Sequence, residues 1–145
     1  MNDYQHVLCV VDLSDENYLL SKRAADLAGR YSATLHLLHV VEQLPSEVSS
    51  NIVLPDQQNI EDYLVENAIK VLDKLKGELE FPGANSSVVS GSTKIEIIDF
   101  VEKNNIDLVV IGRHGRHGIT RLLGSTASAV LHHAQCDVLA VHLGK

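Results

Sequence analysis

Cysteine is scarce. Cys9 falls inside the first apolar run and Cys136 just before the last, and the two form neither a CxxC pair nor a disulfide framework. Both are expected as reduced thiols. Basic charge is also in short supply. Lys and Arg number 12 against 19 Asp and Glu, a net charge of −7, and this argues against a nucleic-acid partner, whose phosphates demand a basic face or stripe. No apolar run approaches the roughly 20 residues that cross a bilayer. The opening Met1-Asn2-Asp3-Tyr4-Gln5-His6 carries an acid early and lacks a basic-then-apolar signal pattern. The expectation is a cytoplasmic protein with no membrane partner.

Repeats and low-complexity tracts are absent too, so the 145 residues are expected to form one domain, 1–145. With 45% hydrophobic and 21% charged residues the composition is that of an ordinary globular chain.

What is present is an alternation of strand-like and helix-like stretches. Val7 to Val11 is unbroken apolar sequence, as in a strand buried on both faces. Asp12 ends it. Ser14 is placed to cap a helix with Asp15 and Glu16 in its first turn, and Leu20, Ala24, Leu27 and Tyr31 recur at helical spacing. Thr34 to Val41 is a second strand, on which His36 and His39 are expected to share a face. The connection from Glu42 to Gln58, with Pro45 and Pro55, is long enough to be functional or mobile.

A long helix follows from about Asn59 to Leu79, on Ile60, Leu64, Ala68, Val71, Leu72, Leu75 and Leu79. Pro82-Gly83 breaks the chain, and Ser86 to Ser90 is a short, weak strand. Thr93-x-x-Glu96 has the pattern of a capping box opening a third helix through Ile95, Ile98 and Val101, which Asn104-Asn105 closes. Ile106 to Ile111 is a fourth strand, Ser125 to His133 a fourth helix and Val138 to Leu143 a fifth strand. Such alternation predicts a parallel sheet with helices on both faces, and a ligand beyond the carboxyl ends of the strands where strand order reverses. If strands one and four flank that reversal, Asp12 and Gly112 face each other across the crevice.

The most informative stretch is Ile111-Gly112-Arg113-His114-Gly115-Arg116-His117-Gly118, running on to Gly124-Ser125-Thr126. Glycines let backbone approach a ligand, and a helix start adds unpaired N–H groups, so the segment is a candidate anion cradle. Arg113, Arg116 and Arg121 lie within it without one acid, against the sign of the whole chain. It is neither a Walker A loop nor a GxGxxG fingerprint. The bland alternative is a flexible turn with solvated arginines.

Asp12 likewise has two readings, as a turn or capping acid and as an acid that bonds ribose hydroxyls. No metal is expected at His114 and His117, which no Cys or carboxylate accompanies. His132 and His133 suit a helix end, where a cation is favourable. No Ser-His-Asp or Cys-His order and no useful acid pair mark a catalytic base.

Three motifs in register carry a resemblance. Val10-Val11-Asp12-Leu13-Ser14, Leu38-His39-Val40, and Asp107 to Gly115 at the end of the fourth strand together resemble the universal stress protein family over essentially the whole chain. The resemblance implies an open five-stranded parallel sheet, order 3-2-1-4-5, of the adenine nucleotide alpha hydrolase-like kind. It implies ATP or a related adenine nucleotide as ligand, with or without Mg. Asp12 would meet the ribose, Val40 would offer backbone bonds to adenine, and Gly112, Gly115, Gly124, Ser125 and Thr126 would surround the phosphates. Val11, Ile111, Arg113 and His114 complete that nucleotide-binding set.

The chain departs from the family's ATP pattern, Gly-x2-Gly-x9-Gly-Ser/Thr, at one point: eight residues, Arg116 to Leu123, separate Gly115 from Gly124. Val-Asp-Leu-Ser and Cys136-Asp137-Val138 look instead like the universal stress protein A class, whose best-known members lack the glycines and do not bind ATP. The leading expectation is a nucleotide-dependent switch or adaptor. The alternative is an interaction module without nucleotide that dimerises through strand five, Val138 to Leu143, and a third reading is slow ATP hydrolysis.

Overall fold

A computed structural model describes residues 3–42, 59–114 and 118–143, with the backbone alone for His114 and for 118–125. The elements are β1 His6–Val10, α1 Asn17–Tyr31, β2 Thr34–Glu42, α2 Ile60–Leu79, β3 Asn85–Gly91, α3 Thr93–Lys103, β4 Leu108–His114, α4 Gly118–His133 and β5 Asp137–Leu143. The strands form one parallel sheet in the order β3-β2-β1-β4-β5. The expected order is therefore observed, and β1 and β4 are neighbours at the reversal.

Each central strand feeds two cores because successive side chains point to opposite faces. Val7, Cys9 and Val11 join Leu35, Leu37 and Val110 beneath α1 and α2, in a core that includes Leu20, Ala24, Leu72 and Leu75. Leu8 and Val10 join Leu38, Val40, Val109 and Ile111 beneath α3 and α4, against Ile97, Val101, Ala127 and Val130. This explains the unbroken apolar runs, since both faces of β1 and β4 are covered. Cys9 is buried among these side chains, and burial pushes its thiol up to about 12, out of reach of thiolate chemistry at neutral pH.

Several local expectations change. The buried stripe of α1 is Asn17, Leu20, Ser21, Ala24, Ala25 and Ala28, while Tyr31 stays partly exposed and packs edge-on to Tyr4 with ring centroids 5.0 Å apart. Ser14 does not cap α1. The helix begins three residues later, because the Ser14 hydroxyl accepts the Glu16 N–H (3.3 Å) and its carbonyl accepts the Asn17 N–H (3.2 Å) in a preceding turn.

The capping box at Thr93 is absent: Ser92 is the N-cap, without a side-chain bond, and the Thr93 hydroxyl donates to Glu42 Oε1 at 2.6 Å instead. A long-range acceptor at the end of β2 outcompetes the local one. Ile95, expected in the core, is exposed, and Ile97 takes the buried position with Val101. The third strand is longer than expected, Asn85–Gly91, because seven residues of β2 are available to pair with it.

His36 and His39 lie on opposite faces, since three residues is an odd step along a strand. His36 sits edge-on to Phe100 of α3 at 4.6 Å and bonds the Ser87 hydroxyl at 2.8 Å. By contrast, α2 is close to expectation, with the Asn59 side chain accepting the Asp62 N–H and Ala68, Leu72, Leu75 and Leu79 buried. The long connection expected over Glu42 to Gln58 lies outside the described residues beyond Glu42 itself.

The fourth helix starts at Gly118, seven residues before Ser125. Ile119, Leu122, Leu123, Thr126, Ala127 and Val130 continue one apolar helical period, and that pattern carries the helix upstream past Gly124. Gly124, Ser125 and Thr126 thus lie inside α4 rather than at its start.

Candidate functional site

The carboxyl ends of β1, β2 and β4 meet beside the strand-order reversal, and the chemistry there is mostly backbone. The last β1–β2 pair is Val10 with Leu38, and the last β1–β4 pair is Val10 with Ile111. One further bond ties β1 to β2: the Val11 N–H donates to the Leu38 carbonyl at 2.8 Å. Beyond it the chain leaves the sheet. Leu13 adopts φ 67°, a left-handed conformation unusual for a branched residue, and the Ser14 N–H donates to Asp12 Oδ1 at 3.0 Å. The turn role weighed for Asp12 is therefore observed, in a half-buried carboxylate at the mouth of the crevice.

Val40 gains its place from the register. In a parallel ladder the N–H and C=O of one residue point to the same neighbouring strand, and the direction alternates along the chain. The Leu38 carbonyl faces β1, so both backbone groups of Val40 also face that side, one step past the point where β1 turns away. A donor and an acceptor from a residue only 7% exposed thus border the crevice, with the Val40 side chain anchored in the α3–α4 core.

His39 completes this corner. Its Nδ1 lies 2.6 Å from the Val11 carbonyl oxygen. A carbonyl only accepts, so that nitrogen carries the proton. Burial holds the imidazole below its ordinary value of 6.5, against the opposing pull of the Val11 bond and of Asp12, and so favours the neutral ring. Nothing in the chain alone pointed to this contact, which needs the β1–β2 register to be seen.

The other expected residues divide. Val11 and Ile111 are buried in opposite cores, so their side chains face away from the crevice and only their backbone borders it. Gly112 has a packing reason for lacking a side chain: a Cβ there would meet Leu143 Cδ1 at 2.6 Å and Leu20 Cδ2 at 3.5 Å. Arg113 is exposed and pairs in register with His142 of β5. His114 ends β4, Gly124 and Ser125 belong to the α4 backbone, and Thr126 is buried in that helix. Gly115, Arg116 and His117 lie outside the described residues.

Among the described residues no three His, Cys, Asp or Glu side chains gather as metal ligands, and no helix is long and apolar enough to cross a membrane. A shallow depression of about 410 Å³ at the opposite end of the sheet is lined by Tyr4, Leu27, Leu108, Asp137, Val138 and Leu139. Its phenol is muted. The Tyr4 hydroxyl donates to Asp137 Oδ2 at 2.7 Å, and that bond, then burial, pushes it up to about 12.

Known proteins share both sequence and architecture with this chain. Residues 3–142 match the model of the universal stress protein family. Universal stress protein A homolog 1 of Coxiella burnetii is 41% identical over 138 residues, spanning 95% of this chain and 96% of its own. Universal stress protein UspA from Lactobacillus plantarum superimposes with a TM-score of 0.77 at 26% identity, covering 97% of this chain and 99% of that one. A universal stress protein solved in complex with cAMP superimposes with a TM-score of 0.73 at 22% identity, covering 99% and 100%. With the motifs of β1, β2 and β4 in register on the same sheet order, the conclusion follows that the chain belongs to the universal stress protein family.

Proposed function

We propose that the chain binds an adenine nucleotide, ATP or a close relative with or without Mg, at the carboxyl ends of β1, β2 and β4, and works as a nucleotide-dependent switch or adaptor in the cytoplasm. The observation that carries this reading is the backbone of Val40. An adenine edge presents a donor and an acceptor side by side, and Val40 offers the complementary pair one step past the end of β1. A family member solved with cAMP supports the same ligand class.

In this reading Asp12 meets the ribose and Arg113 offsets phosphate charge. The unpaired N–H groups for the phosphates come from the first turn of α4, beginning at Gly118, and not from Ser125. Gly124, Ser125 and Thr126 lie further along the same helix, and Gly115 is outside the described residues. ATP supplies the charge and the base that distinguish the loaded state from the empty one. Calorimetric titration with ATP, with and without Mg, should show saturable heat. No heat and no thermal shift at millimolar nucleotide overturns the reading.

A second reading is favoured by a separate observation. The 41% relative is a universal stress protein A homolog, and α4 takes up Gly124 and Ser125 in its interior. Under it the chain is a dimeric interaction module without nucleotide. Both readings use β5 for a homodimer, because that strand is at the edge of the sheet and its outer backbone groups are open to pairing. Nucleotide retained by the freshly purified protein separates them.

A further inference from the structure

We infer that His39 is a positioning residue of the crevice: its Nδ1–H holds the Val11 carbonyl, and so keeps the Val40 N–H out of the β1–β2 ladder and available to a ligand. This rests on the reading that Val40 meets the nucleotide base.

The ladder itself sets up the competition. Val10 pairs with Leu38, and the Val11 N–H donates to the Leu38 carbonyl at 2.8 Å. The next bond in a continuing parallel ladder runs from the Val40 N–H to the Val11 carbonyl. In its place that carbonyl has the imidazole nitrogen at 2.6 Å. The chain then leaves the sheet at once, through Asp12 and the left-handed Leu13.

Removing the ring donor changes who takes the carbonyl. Val11 is 1% exposed, and a buried acceptor left without a donor is costly. The in-register donor nearest to hand is the Val40 N–H. Its capture lengthens β1 by one pair and consumes the donor that the base requires. A single side chain, one residue earlier on β2, therefore decides whether this N–H belongs to the sheet or to the ligand. His39 approaches from the α1–α2 side while Val40 anchors on the α3–α4 side, so the ring does this without filling the space beside Val40.

The test is amide hydrogen exchange of Val40 in nucleotide-free protein, read by NMR, together with ATP calorimetry on the same samples. His39→Phe keeps an aromatic ring and removes the donor. His39→Asn places an amide N–H near the position of Nδ1, whereas His39→Gln places it near Nε2. His39→Phe is expected to raise Val40 protection about tenfold and to weaken ATP about tenfold, the scale of one hydrogen bond gained by the sheet and lost by the ligand. His39→Asn should restore both.

A purely structural role for the ring moves protection the other way, because looser packing opens the strand and speeds exchange. Val40 protection that is unchanged or lower in His39→Phe overturns the inference. Should that variant fail to fold, Asn against Gln carries the same test, and equal Val40 protection in the two overturns it. Raised protection in His39→Phe from a parent that takes up no ATP supports the hold on Val11 and sinks the nucleotide reading instead.

Discussion

The two ends of the same sheet are finished in opposite ways. At the amino end polar groups find partners within the chain. Asp107 accepts the N–H of Gln5 at 2.9 Å and of His6 at 3.0 Å, the Thr34 N–H donates to the Gln5 carbonyl at 2.9 Å, and Tyr4 bonds Asp137. At the carboxyl end β1 is turned out of the sheet by Leu13, and Val40 is left bordering a crevice with its backbone donor and acceptor. One end is stapled by side chains; the other is held open by one. The difference teaches where stability and function can be changed separately.

The strongest way to break that comparison is at the staple. Asp107→Ala leaves two backbone N–H groups without a charged acceptor, and two such bonds at the low end of their range amount to about 3 kcal/mol. For a chain of this size the melting temperature should fall by about 10 °C. ATP affinity measured below the transition should not move. A drop in affinity without loss of stability would show that the two ends are coupled.

The next effect is smaller and sits at the open end. Asp12→Ala removes the ribose contact proposed above and the acceptor for the Ser14 N–H, and ATP binding is expected to weaken about tenfold, or ~1.4 kcal/mol. Asp12→Asn keeps an oxygen for the Ser14 N–H, so its melting temperature should stay with the parent while affinity still falls. If Ala lowers stability and Asn restores both stability and affinity, Asp12 is a turn residue alone.

How much of this was legible from the chain varies with distance along it. The both-face burial of β1 and β4 and helix α2 follow from apolar periods that are local, whereas the strand order came only with the resemblance of the three motifs to a known family. Thr93 departs from its local motif because its partner, Glu42, is 51 positions away, and a local motif cannot see a remote acceptor. The Gly-Ser-Thr run puts the start of α4 near Ser125, whereas the apolar period through Ile119 and Leu122 is the better guide to its start at Gly118. His39 is expected from the sequence to share a face with His36, yet its place depends on the odd step between them and on which carbonyl the β1–β2 register brings within 2.6 Å. The motif residues were visible; what separates backbone bound into the sheet from backbone left at the crevice was not.

The smallest effect is on pH, and it sharpens the comparison because both responsive groups sit on β2, His39 at the open corner and His36 three residues before it. His36 is held below its ordinary value of 6.5 by burial and then by Lys76, and His39 chiefly by burial. A depressed folded-state value means the unfolded chain binds more protons between the two values. Their contribution to stability is thus fully present above pH 6.5 and is lost as pH falls through the folded-state values. The slope should be shallow, since both rings are only partly buried and water screens them. Denaturant midpoints from pH 8 down to 5 should decline below pH 6.5. His36→Asn and His39→Asn should each flatten the curve, the latter with the hold on the Val11 carbonyl kept. A His39→Asn curve as steep as the parent's would assign the whole pH response to the Phe100 face of the sheet.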